Sequence, residues 1–198
     1  EIRGAGNVFG YEQSGQMLQV GLELYNKILS EAISKETGVN KKTTNNVMVS
    51  IDRDSLISTN YMPSTRDRLR FYQELVKVKN DDGLKDIRKR IEDQFGVIDQ
   101  SIQNLFIVTE IRLALLNTPV EKCAIKGASV GFGIRADVTI KTVVFMKRLV
   151  GFSKKIKKDY RFESVGKKNW VYFDSIKDLE LVETARGFAG LFSGVVVD

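Results

Sequence analysis

Asp52 and Asp54 alternate directly behind the apolar run from Val47 to Ile51. In an extended strand both carboxylates leave from one side, and with a third converging oxygen they would suit a hard divalent cation. Two acids turned to water at a strand end is the commoner use of the same spacing. Gly4, Gly6 and Gly10 approach a dinucleotide fingerprint, but the interval is wrong and no strand precedes them. No G-x-x-x-x-G-K-[ST] loop occurs anywhere in the chain, so the phosphate cradle of P-loop ATPases is missing. The sequence also has no histidine, which removes Ser-His-Asp and Cys-His catalysis, the imidazole general base and His-ligated zinc. Cys123 is the single cysteine and can form no internal disulfide. Its expected place is the apolar interior of a protein from a reducing, cytoplasmic compartment. These residues make no catalytic constellation, and no metal or cofactor site is expected.

The basic residues are the other group with binding chemistry. Lys147, Arg148, Lys154, Lys155, Lys157, Lys158, Arg161, Lys167 and Lys168 face only Asp159 and Glu163 in the same stretch. That segment carries +7 while the whole 198-residue chain carries +6, so the remainder is −1. Lys154, Lys155, Lys157 and Lys158 are its densest part and the candidate basic patch. Such a patch can neutralise phosphates and release counterions, which makes binding salt-dependent. Lysines outnumber arginines seven to two here and few aromatics are interleaved for base stacking. That composition fits a solvated connector and a lysine-protected edge strand better than a nucleic-acid groove.

Helical periodicity sets the frame for these groups. Leu18, Leu22, Tyr25, Leu29, Ala32 and Ile33 predict an amphipathic helix from Ser14 to about Lys35. Ser64 and Asp67 have capping-box spacing before the stripe Leu69, Tyr72, Leu75 and Val76, so a second helix is expected from Thr65 to about Lys79. Leu84, Ile87, Ile91 and Phe95 mark a third, ended by Gly96; Ile102, Leu105, Phe106, Leu113 and Leu116 mark a fourth, ended before Pro119. Beyond Pro119 the pattern turns to short strands at 122–126, 128–135, 160–165 and 169–173, with helices expected at 140–152 and 175–192. Gly127, Gly131 and Gly133 read as a hairpin with close backbone contact. The fold class is therefore α+β: an N-terminal loop and long helix, helical hairpins, then short antiparallel strands with two further helices. The polar run from Asn40 to Asn46 is the expected boundary between an arm, residues 1–45, and a domain of residues 46–198. No apolar run reaches the roughly 20 residues that span a bilayer, so no membrane partner is expected. A chain that opens on Glu1 and a Gly-rich loop is expected to be a piece of something longer.

That opening, Arg3-Gly-Ala-Gly-Asn-Val-Phe-Gly-Tyr-Glu-Gln-Ser-Gly15, resembles the translocation motif shared by the bacterial transcription-repair coupling factors and the RecG branch-migration helicases. Three further stretches, Asp54-Ser-Leu-Ile-Ser-Thr-Asn-Tyr-Met-Pro63, Arg68-Leu-Arg-Phe-Tyr72 and Glu92-Asp-Gln-Phe-Gly96, resemble the C-terminal domain of the coupling factors, which RecG lacks. The resemblance implies an ATP-dependent duplex-DNA translocase that displaces stalled RNA polymerase and recruits nucleotide excision repair. ATP and Mg would belong to the parent motor and not to this fragment. Arg3 and Gln13 match the polar residues of the motif that link nucleotide state to DNA movement. The C-terminal domain of the family contacts an N-terminal repair-helicase-like module of the same chain and hides the surface for the damage-recognition ATPase. Glu92 and Asp93 fall in the last turn of the third helix, where the macrodipole is negative and acids are unfavourable by about 0.3–1 kcal/mol. They are the expected interdomain contact, and Asp93 matches an acidic family position, while Arg90 stands where the family has an acid. Compensation by Arg88 and Lys89 at helical spacing is the local alternative. The other functional class is a free-standing basic module that binds nucleic acid through residues 147–168.

Overall fold

The computed structural model describes residues 17–37, 47–165 and 168–197. Six α-helices and seven strands are described: α1 (Met17–Thr37), β1 (Met48–Ile51), α2 (Thr65–Lys77), α3 (Asp81–Phe95), α4 (Gln100–Leu115), β2 (Val120–Lys126), β3 (Ser129–Ile134), β4 (Thr139–Ile140), α5 (Thr142–Ile156), β5 (Tyr160–Val165), β6 (Lys168–Phe173), α6 (Leu181–Gly190) and β7 (Val196–Val197). A 3-10 turn over Asp178–Glu180 leads into α6. The fold is α+β with a mixed sheet.

The helices around the candidate site are set by their caps. Ser64 accepts from the Asp67 N–H at 3.2 Å, Asn80 from Gly83 at 2.8 Å, and Asp99 from Ile102 at 2.9 Å, each satisfying one orphan amide of α2, α3 and α4. Gly96, at φ 82°, ends α3 by donating to the Glu92 carbonyl at 2.9 Å. α4 is apolar nearly all round, and Ile102, Leu105, Phe106, Val108, Ile111 and Leu115 are all fully buried. A helix of that composition belongs in the middle of a core. α4 packs against α2, α3, α6 and β1.

The main sheet has the order β1-β2-β3-β6-β5, with β1 parallel to β2 and every other pair antiparallel. Register places Val49, Cys123, Phe132 and Val171 in one row on the core face. Phe132 stacks on Phe188 of α6 with centroids 4.2 Å apart, and Phe188 in turn meets Phe145 of α5 edge-on. The next row, Ser50, Ala124, Gly131, Tyr172 and Arg161, faces outward. The Tyr172 ring lies over Gly131, where an added Cβ would sit 2.3 Å from it, which explains the glycine in mid-strand.

α1 is packed against the rest of the domain. Leu22, Tyr25 and Leu29 are buried against the body that α2, β1 and α4 form. The boundary expected at Asn40 to Asn46 lies outside the described residues.

Several expected boundaries move. Thr139–Ile140 pair with Val196–Val197 as a small second sheet, so α5 begins at Thr142 and not at Ile140, and it runs on to Ile156. Ser175 does not cap the last helix: it sits at φ 59°, and the start is fixed by the Glu180 carboxylate accepting from the Lys177 N–H at 2.7 Å. β1 adds a parallel edge to a sheet expected to be wholly antiparallel. Pairing with β2 lets it bury Val49 and Ile51 beside α4.

Candidate functional site

α3 is held by its apolar stripe. Leu84 and Ile91 are buried, while Ile87 and Phe95 are partly buried against the core. Two basic residues of the helix are drawn to neighbouring helices, while Lys85 pairs with Asp82 at 3.0 Å and Lys89 is exposed. Arg88 lies over the Phe106 ring at 4.2 Å, donates to Gln103 at 3.0 Å and pairs with Glu110 of α4 at 3.7 Å. Burial pushes the Glu110 carboxyl above the ordinary carboxylate range, and Arg88 only partly offsets this. Arg90 pairs with Glu74 of α2, which also receives Arg70 at 3.0 Å.

Glu92 and Asp93 are consequently left alone. Both are exposed, and neither has an ion pair among the described residues. Neither Arg88 nor Lys89 makes an ion pair with them among the described residues: Arg88 is committed to α4, and Lys89 is exposed. Next to the two acids Tyr61 donates its hydroxyl to the Gly96 carbonyl at 3.2 Å and its ring meets Phe95 at 5.9 Å. Burial raises the Tyr61 hydroxyl above its ordinary value, and the nearby charges of Asp99 and Glu92 raise it further. Val97, directly after Gly96, is 93% exposed. The end of α3 is thus an acidic patch with one apolar knob, suited to a basic protein surface. Sequence reasoning missed Val97, whose only signal was an apolar residue directly after a helix-ending glycine.

The basic stretch is divided by the fold. Lys158 donates to the Ser175 carbonyl and pairs with Glu180 at 3.1 Å. Arg161 is shared by Glu163 and Asp174 and lies over Tyr172 at 4.6 Å; Arg148 donates to the carbonyls of Leu191 and Ser193. Lys147, Lys154, Lys155 and Lys157 are exposed without an ion pair among the described residues. Lys154 and Lys155 occupy the last turn of α5, where a cation is favourable to the helix dipole. No continuous groove of free cations results from residues 147–158.

Asp52 and Asp54 do not form a cation site. Both are exposed, the commoner use of their spacing, and each also ties down a loop: Asp52 accepts from the Gly127 N–H at 2.7 Å and Asp54 from the Leu56 N–H at 2.9 Å. No group of three metal-ligating side chains exists among the described residues. Cys123 is buried, and burial pushes its thiol far above the ordinary range. Arg3 and Gln13 lie outside the described residues.

Residues 51–143 match the family model described as the TRCF domain. The chain is 30% identical over 122 residues to the transcription-repair-coupling factor of Borreliella burgdorferi, a match covering 62% of this chain and 11% of that protein. The factor of Helicobacter pylori is 36% identical over 110 residues, 55% of this chain and 11% of that protein. That of Escherichia coli is 30% identical over 117 residues, 57% and 10%. Over these stretches the chain is similar to the transcription-repair-coupling factors. Its matched part is about a tenth of the length of these relatives. The crystal structure of the C-terminal domain of a transcription-repair coupling factor has the same fold, with a TM-score of 0.61 and 14% identity over 78% of this chain and 96% of that one. Among the described residues no helix is long and apolar enough to cross a membrane.

Proposed function

We propose that this TRCF-domain chain is the non-catalytic C-terminal part of an ATP-dependent duplex-DNA translocase, which displaces stalled RNA polymerase and recruits nucleotide excision repair. In this reading the domain is an autoinhibitory clamp. The acidic end of α3 closes on a basic surface of the N-terminal repair-helicase-like module and masks the surface that the damage-recognition ATPase needs. The observation that carries the reading is the pair Glu92 and Asp93, without an ion pair among the described residues and on the negative end of their own helix. Local helix energetics disfavours them there, and an external cation reverses the sign. Bound ATP and Mg would lie in the motor that precedes this region. The partner that fits the patch presents arginines or lysines around an apolar notch for Val97.

The direct test mixes this chain with the separately expressed N-terminal module and reads their association by calorimetry. Binding should weaken as salt rises and fall at least tenfold for Glu92→Lys with Asp93→Lys. Association that ignores both salt and the double substitution would refute the acidic contact. The translocation role of Arg3 and Gln13 is tested separately in the whole translocase. Arg3→Ala or Gln13→Ala should leave ATP hydrolysis largely intact while abolishing displacement of a DNA-bound obstacle. Equal loss of both activities would assign the two residues to folding.

A further inference from the structure

The outer face of α5 is built against the interests of the free domain. At 3.6 residues per turn, Val143, Lys147, Val150 and Lys154 fall within an arc of about 60° on the side away from buried Phe145 and Leu149. Val143 is 70% exposed and Val150 39%. β-Branched residues facing water lose helix propensity without any packing in return. Gly151 flanks the same face, and a Cβ added there would meet nothing within 4 Å. The chain's own packing therefore does not call for a glycine, which is the weakest helix former after proline. A missing side chain beside an exposed helix face allows another backbone to approach closely.

Charge narrows what approaches. α5 contains no Asp or Glu. The nearby acids Glu180 and Glu183 are engaged by Lys158 and Arg186, at 3.1 Å each. Lys147, Lys154 and Lys155 have no ion pair among the described residues. Lys154 and Lys155 also suit the helix terminus, but Lys147 lies mid-helix and has no such role. We propose that the α5 face formed by Val143, Lys147, Val150, Gly151 and Lys154 is a docking surface for an acidic protein segment that places aliphatic side chains against the valines and carboxylates on the lysines. This surface is separate from the α3 patch and does not depend on the clamp reading. Alternation of valine with lysine favours protein over nucleic acid, because a phosphate backbone gains nothing from the valines.

The test uses the 198-residue chain and a fluorescent helical peptide of about 18 residues, with leucines at i, i+4 and i+7 flanked by glutamates. Fluorescence anisotropy should show binding that weakens with salt. Lys147→Glu with Lys154→Glu, and separately Val143→Ser with Val150→Ser, should each cost at least tenfold in affinity while the chain keeps its melting temperature. Gly151→Ala should raise the melting temperature yet weaken peptide binding several-fold. The proposal is overturned if a peptide with its leucines replaced by serine binds equally well, or if the valine variants bind like the parent. It is equally overturned if the chain binds labelled duplex DNA and not the peptide, or if it binds neither.

Discussion

The guanidinium of Arg112, 3% exposed, directs its donors to the Tyr25 hydroxyl at 2.9 Å and to the carbonyls of Leu75 and Val78 at 3.1 and 2.9 Å. Those carbonyls belong to the end of α2, where intrahelical partners run out, so one buried cation satisfies two orphan acceptors and fastens α1 to α4. Arg112→Leu should therefore destabilise the domain by about 2–4 kcal/mol, measured by urea unfolding, because three buried polar groups lose their partner. Tyr25→Phe should cost about 1 kcal/mol, and the two substitutions should be strongly non-additive. Additive losses would show that the contact contributes little. Tyr72 supplies a second check. Its hydroxyl accepts from Ile57 and donates to the Ser55 carbonyl, and burial pushes its pKa up to about 12. A raised folded value means the stabilisation is complete below pH 10 and disappears as pH climbs toward 12. Stability should fall by about 1.4 kcal/mol per pH unit across that window. Tyr72→Phe should flatten that part of the profile, and an unchanged slope would contradict the assignment. Ser64, Cys123 and Gly131 were legible in the sequence because their signals are local or compositional. Arg112 was not, since it reads as a break in an apolar helix while its partners lie 34, 37 and 87 residues away. Asp52 was readable as a surface acid, but its contact with Gly127 was not, the partner being 75 residues on.

At the scale of elements, α1 shows how a glycine can bind a helix to its domain. An added Cβ at Gly21 would sit 2.2 Å from the Ser55 carbonyl oxygen and 2.5 Å from the Leu56 Cα, and that obstacle is backbone. Gly21→Ala should improve α1 as an isolated helix by about 1 kcal/mol and still lower the melting temperature of the whole chain. A rise in melting temperature would mean that α1 does not dock where the structure has it. Helix cores were readable from apolar periodicity, which counts many residues at once. Some of their ends were not, where the end is fixed by a long-range or single contact. Pairing of Thr139–Ile140 with Val196–Val197 delays α5, and a single carboxylate, Glu180, starts the last helical segment three residues after Ser175. The parallel pairing of β1 with β2 was equally hidden, since strand order is decided by burial against α4 and leaves no local pattern.

For the whole molecule the central claim is the clamp. As proposed, it would join the acidic end of α3 to a basic surface elsewhere in a longer parent chain, so its consequences would appear only when both are present. Sequence periodicity located Glu92 and Asp93 on the last turn. It could not say whether Arg88 and Lys89 neutralise them, because that depends on α4 drawing Arg88 onto Phe106 and Glu110. Nor did it reveal Val97, whose exposure is decided by how the α3–α4 connection turns. With the acids unpaired among the described residues, charge reversal should convert attraction into repulsion at the proposed contact and shift the closed state toward the open one by tenfold for each 1.4 kcal/mol. The measurement that tests this most directly is the affinity of the damage-recognition ATPase for the full-length translocase carrying Glu92→Lys and Asp93→Lys, with melting of the 198-residue variant chain as the folding control. Binding at least tenfold tighter than to the parent, with an unchanged melting temperature, is the expected result. Unchanged affinity in a variant that melts like the parent would contradict the clamp.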